Sequence, residues 1–127
     1  MSTKPYLYSD DLITWVSVDG DEATIGFTEY ACERMEELMA VELKEAGDEI
    51  TQGGPCGSAD LAKTVQDIPS PISGIILANN AKAIETPDVI LEDSYGQGWL
   101  LKVRITNPAE LDSLLSAQEY QARTATE

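Results

Sequence analysis

Histidine is absent from this sequence of 127 residues. Its absence removes the usual general base and the commonest metal ligand, so neither a Ser–His–Asp nor a Cys–His enzyme can be assembled within the chain. Basic residues are few, eight against twenty-three acidic ones, for a net charge of -15. Those eight are scattered as Lys4, Arg34, Lys44, Lys63, Lys82, Lys102, Arg104 and Arg123. Nucleic acid and anionic membrane are therefore poor partners, because both need clustered Lys and Arg. An acidic surface instead keeps a protein soluble and steers basic partners toward it. Cysteine is limited to Cys32 and Cys56, whose separation fits neither a metal-ligand nor a redox-pair motif. Buried or bystander thiols are the expectation, with a disulfide between them left open. Long apolar runs are missing too. The stretches around Ile72–Ala78 and Trp99–Ile105 are far too short to span a bilayer. Met1 to Asp11 is polar, without the apolar region of a secretory signal. The resulting expectation is a soluble, cytoplasmic protein.

What is present reads as one domain, 1–127, with a core over about 6–122 and frayed ends, including Arg123 to Glu127. A hydrophobic fraction of 43% is enough for a real core. Ile13–Val18 and Glu22–Phe27 are β-rich segments around the turn Asp19-Gly20-Asp21, which predicts a hairpin. Thr28 is a good N-cap with Glu29 in the first turn, so Thr28–Met35 is expected as a short helix. Further strands are expected at Leu38–Leu43, Glu49–Thr51, Cys56–Ala62, Thr64–Ile68, Ile72–Ala78 and Trp99–Ile105. Between the last two, Asn79 to Asp93 reads as a loop with one helical turn at Ala81–Ile84. Asn107, Pro108 and Glu110 resemble cap, N1 and N3 of a closing helix, with Leu111, Leu114 and Leu115 as its apolar face. Gly20-Asp21-Glu22 and Gly47-Asp48-Glu49 hint at a duplicated turn-then-strand unit. Many short strands with few helices predict a mainly β barrel or sandwich.

Sites for chemistry are scarce. The acidic pairs Asp10-Asp11, Glu36-Glu37 and Glu92-Asp93 sit in polar, loop-like contexts and read as solvated charge; Asp19-Gly20-Asp21-Glu22 only loosely resembles a calcium loop. Gly53-Gly54 and Gly96-Gln97-Gly98 lack the companions of a phosphate-binding loop and suit turns. Lys63 stands apart: the nearest basic residues along the chain are Lys44 and Lys82. A lysine at a hairpin tip offers its amine to a modifying enzyme. From periodicity alone it reads as an ordinary surface lysine, and its flanking residues say more.

Asp60-Leu61-Ala62-Lys63, followed by Ser70-Pro71-Ile72-Ser73-Gly74, resembles the lipoylation segment of glycine cleavage H proteins. In that family an acidic residue precedes the lipoyl lysine by three, and Ser-Pro-Val-Ser-Gly begins seven after it. Gly26-Phe27-Thr28-Glu29-Tyr30-Ala31 is similar to the family's Gly-Ile-Thr-x-Tyr/His-Ala. Val41-Glu42-Leu43 with Gly47-Asp48 matches Val-Glu-Leu-Pro-x-x-Gly-Asp, and Tyr95-Gly96-Gln97-Gly98-Trp99-Leu100 matches Tyr-Gly-x-Gly-Trp-Leu/Ile. Pro108, Glu110, Leu111, Leu114, Leu115 and Tyr120 fit its terminal helix. The resemblance implies a hybrid barrel-sandwich of lipoyl-domain type with short helices and a C-terminal helix. It also implies lipoate joined to Lys63 by an amide, Asp60 as the recognition flank, a separate transferase or ligase to install the group, and no catalysis by the chain itself. The family usually reads His-Glu-Trp where this chain has Ile13-Thr14-Trp15, and that glutamate is associated with the cleft where the loaded arm docks. The departures at Thr14, Glu36-Glu37, Lys44, Leu61-Ala62, Leu91 and Ser94 cluster around the arm. Two partner sets follow: the glycine cleavage enzymes, or a heterodisulfide-reductase-like complex of bacterial sulfur oxidation. A biotinyl carrier is disfavoured, since Ala62 and Thr64 replace the flanking methionines. An unmodified H-like binding module is the alternative to a carrier.

Overall fold

The computed structural model describes residues 6–35 and 38–125. Among these residues nine strands form two antiparallel sheets, with short helices at their margins. The larger sheet has the order β1 (Leu7–Tyr8), β2 (Thr14–Asp19), β3 (Glu22–Phe27), β9 (Leu101–Ile105), β8 (Gly74–Asn79), β5 (Glu49–Ile50). The smaller sheet is β4 (Leu38–Leu43), β6 (Pro55–Leu61), β7 (Val65–Pro69). The mainly β architecture with short helices expected from the sequence is the one observed.

Alternation explains how the sheets meet. Val16, Ile25, Ile76 and Val103 from the larger sheet and Val41, Ala59 and Ile68 from the smaller one share a single buried cluster. Apolar residues at every second position of a strand face one side, so each sheet turns one greasy face inward. A second cluster of Tyr8, Leu12, Trp15, Leu115 and Tyr120 lies on the opposite side of β2. The β2–β3 hairpin closes through Gly20 at φ 67°, the positive φ that primed hairpin turns demand. Its echo, Gly47 at φ 95°, likewise leads into a strand of the larger sheet.

Helix α1 (Glu29–Arg34) starts as expected, with the Thr28 hydroxyl accepting from the Ala31 N–H at 3.0 Å. The stretch after β8 differs from expectation. It holds α2 (Ala81–Glu85) and also α3 (Asp88–Glu92), which buries Val89 and Ile90. The expected closing helix differs more. Pro108–Ser113 is a 3₁₀ turn, and the α-helix, α4, runs later, over Ala117–Ala125. Asn107 makes no side-chain cap. The Glu110 carboxylate instead accepts from the Ser73 N–H (2.6 Å) and the Ser73 hydroxyl (2.8 Å). Leu115 exchanges both backbone bonds with Tyr8, at 2.9 and 2.7 Å, which a helical residue there could not do. Arg123 lies within α4, and its guanidinium pairs with the Asp10 carboxylate at 3.0 Å.

Candidate functional site

Lys63 occupies the turn between β6 and β7 and is exposed. The turn is short: the Leu61 N–H donates to the Thr64 carbonyl at 2.8 Å, and Asp60 stands opposite Val65. Among the described residues no ion pair or hydrogen bond holds the Lys63 amine. The hairpin beneath it is held firmly. Ala59 and Ile68 are buried in the shared core, so a one-residue slip would expose both. Cys56 is buried in β6, its thiol directed at the Ile68 carbonyl at 3.4 Å. At the root, the Gly53 N–H donates to the Ser70 carbonyl and the Ser70 N–H to the Gly54 carbonyl, each at 2.8 Å. On the other side β4 presses so close that a Cβ on Gly57 would stand 2.4 Å from the Glu42 carbonyl oxygen. The lysine is thus a free side chain on a fixed mount.

Asp60 is half-buried, three residues before Lys63 on β6. Thr14 is fully buried on the face of β2 shared with Val16, opposite Phe27, and its hydroxyl has no hydrogen-bond partner among the described residues. It does not line the cleft beside β7, a space of about 210 Å³ walled by Ile13, Phe27, Arg34 and Gln66 among others. A larger open cleft of about 640 Å³ gathers Tyr6, Tyr8, Tyr30, Tyr95 and Tyr120 with Glu29, Glu33 and Arg34. The Arg34 guanidinium lies 3.5 Å above the Tyr30 ring where the two clefts meet. Nothing in the sequence could bring these tyrosines together, because they come from four separated segments, Tyr6 with Tyr8, then Tyr30, Tyr95 and Tyr120.

The other sequence candidates have local structural work. The Asp11 carboxylate accepts from the Ile13 N–H at 3.0 Å and from the Ser9 hydroxyl. Asp93 accepts from the Gln97 N–H at 3.1 Å. Glu36-Glu37 lies outside the described residues. Gly98 packs on α3, where a Cβ would meet the Ile90 Cα at 2.7 Å. Both cysteines are free thiols. Burial lifts Cys32 to about 11 and Cys56 to about 12, so neither is a thiolate at neutral pH. Burial also raises Tyr95 and Tyr8, which share a hydrogen bond. Among the described residues no group of three or more Cys, Asp or Glu side chains could hold a metal ion. No helix among them is long and apolar enough to cross a membrane.

The structure defines a two-sheet β scaffold that presents an exposed lysine at a hairpin tip, an arrangement suited to carrying an attached group. Residues 6–127 match the family model described as glycine cleavage H-protein. The glycine cleavage system H protein of Crocosphaera subtropica is 45% identical over 109 residues, covering 85% of this chain and 82% of that relative. That of Acaryochloris marina is 40% identical over 109 residues, covering 86% and 85%. A solved structure of a glycine cleavage system H protein from Mycobacterium marinum superposes with a TM-score of 0.86 at 32% identity, covering 98% of this chain and 99% of that one. The chain belongs to the glycine cleavage H-protein family, the non-catalytic lipoyl carriers of the glycine cleavage system. None of these relatives is described by a role in sulfur oxidation.

Proposed function

We propose that Lys63 is the residue that bears lipoate, through an amide between its Nζ and the lipoyl carboxyl, and that Asp60 flanks it as a recognition element. One observation carries the reading: Lys63 is exposed at a turn whose strands, root and register are all fixed by burial and hydrogen bonds. A modifying enzyme needs a reachable amine, and a carrier needs a mount that does not move while its arm does. The group fits this lysine, since the amine is free of partners among the described residues and acylation leaves no buried charge behind. Bound there, lipoate supplies a dithiolane able to exchange between disulfide and dithiol and to carry a one-carbon amine fragment. The protein's part is to position it, and tethering raises its effective concentration at each enzyme it visits. The partners we assign are a lipoate-attaching transferase or ligase and the glycine cleavage enzymes. We also take residues 6–122 as one carrier domain, a reading supported by the core cluster that both sheets share.

The test is the intact mass of protein from its native cell, with peptide mapping around Lys63. A single lipoyl increment on the Lys63 peptide is expected, and Lys63→Arg, which keeps the charge but removes the primary amine, should abolish it. An unmodified native protein, or one labelled elsewhere, refutes the assignment and leaves an unmodified binding module.

A further inference from the structure

The outward face of the smaller sheet combines exposed apolar side chains with carboxylates. Antiparallel register places Ala40, Asp60 and Val65 in one row and Glu42, Ser58 and Asp67 in another. The row between them, Val41, Ala59 and Gln66, belongs to the inner side, where Val41 and Ala59 are buried. Rows two residues apart share a face, so Glu42, Asp60 and Asp67 lie on the same outward side as Val65. Met39 joins them through an irregularity. The register steps from Leu38 opposite Leu61 to Ala40 opposite Asp60, so Met39 is the extra residue of a β-bulge and is turned outward. Met39 is 66% exposed and Val65 62%, the two most exposed large apolar residues described. The three strands contain no lysine or arginine. Two greasy side chains and three carboxylates therefore share the face of the hairpin that presents Lys63.

We propose that this face is where the enzyme that acylates Lys63 docks, through a surface with basic groups around a shallow apolar recess. The proposal rests on Lys63 being the attachment site. Reach selects this occupant over the carrier's other partners. An enzyme that acylates Nζ must bring its reacting carbonyl to within bonding distance of a lysine whose whole tether is its four-carbon stem. Its body must then cover the hairpin. For enzymes that act on the far end of a loaded arm, the tether supplies the reach, so contact with this face is not obligatory. Charge fits as well, since a net charge of -15 steers a basic surface toward the molecule, and the local carboxylates orient it. Scattered exposed apolar side chains are ordinary. A pair of them on the one face that an acylating enzyme must cover supplies the desolvated centre that interfaces use.

The assay follows lipoate incorporation by intact mass, using full-length protein, an ATP-dependent lysine-acylating ligase and free lipoate. Met39→Ser with Val65→Ser should lower kcat/KM by roughly tenfold, with kcat at saturation unchanged. Glu42→Lys with Asp67→Lys should lower it at low salt and approach the wild type at high salt, where screening removes the steering. Ile84→Ser, at an exposed apolar residue of α2, should leave the rate unchanged. Thermal unfolding checks that each variant is folded; if the apolar pair is not, the charge pair decides. Wild-type protein labelled on Lys63, with both pairs matching its kcat/KM, overturns the docking surface while the attachment site stands. Wild-type protein that takes no label on Lys63 overturns both.

Discussion

Two threonines in the same structure make a controlled comparison. Thr14 and Thr28 are both fully buried. The Thr28 hydroxyl donates to the Leu12 carbonyl at 2.6 Å and accepts from the Ala31 N–H at 3.0 Å, whereas the Thr14 hydroxyl has no partner among the described residues. A buried polar group without a hydrogen bond costs about 1–3 kcal/mol in desolvation. Replacing Thr14 by valine removes that group while nearly preserving shape, so Thr14→Val should stabilise the fold by ~1–2 kcal/mol. For a chain of this size that corresponds to roughly 3–10 °C in melting temperature. Thr28→Val removes a helix cap and strands the Ala31 N–H, and should destabilise by about 1–2 kcal/mol. Thr14→Glu, the residue usual in the family, would push a carboxylate into the same apolar space and should destabilise more than either. Urea denaturation is the assay, with the midpoint read at an unchanged m-value, and calorimetry gives the melting temperature. A destabilised Thr14→Val protein would show that the hydroxyl is satisfied and refute the reasoning; so would shifts of the same sign for both valine variants.

Gly57→Ala forces a Cβ against the Glu42 carbonyl and should destabilise by ~1–3 kcal/mol through overpacking, with the urea midpoint as readout. Glu110→Ala removes both carboxylate bonds to Ser73 and should cost about 1.5–3 kcal/mol, whereas Asp112→Ala should change the midpoint little. The native thiols should resist a disulfide reagent at pH 8 and react fully in denaturant, because Cys56 is buried and Cys32 is raised to about 11. Both thiols lie above their ordinary value of 9.0, so their contribution to stability is complete below pH 9 and lost as pH rises toward about 11–12. A melting temperature that rises across that interval would contradict the burial of these groups.

Much of the fold was legible because its signals are local. The Gly20 turn, the Thr28 cap and the alternating strands on either side of Lys63 each depend on residues within a few positions. The ends of elements shifted where distant groups competed. Asn107 and Glu110 carry a capping pattern, but two donors on Ser73, far back in the chain, offer Glu110 more than one N–H of its own turn would. Leu114 and Leu115 have helical spacing, yet Tyr8 claims both backbone groups of Leu115. Helix α3 was hidden because Asp88–Glu92 is a single turn, and its Val89 and Ile90 are held by the core rather than by propensity. At the candidate site, Lys63 and Asp60 entered as candidates through the family resemblance of the segment around them. The bulge that turns Met39 outward and the gathering of the tyrosines were not, since register and convergence are properties of the folded chain.

The order of strands in the larger sheet also sets a sequence of events. Strand β3 pairs with β9, Glu22 opposite Arg104, so the middle of that sheet stays open until nearly the whole chain has been made. The β6–β7 hairpin joins neighbours along the chain and closes over a short loop, and β4 lies only slightly upstream. Loop closure over short separations is fast and over long ones slow. A nascent chain would therefore hold a formed lysine hairpin while the free edge of β3 still waits for β9. That early interval exposes unpaired strand edges, and the repulsion of so many like charges is then an advantage, keeping incomplete chains apart until β9 arrives.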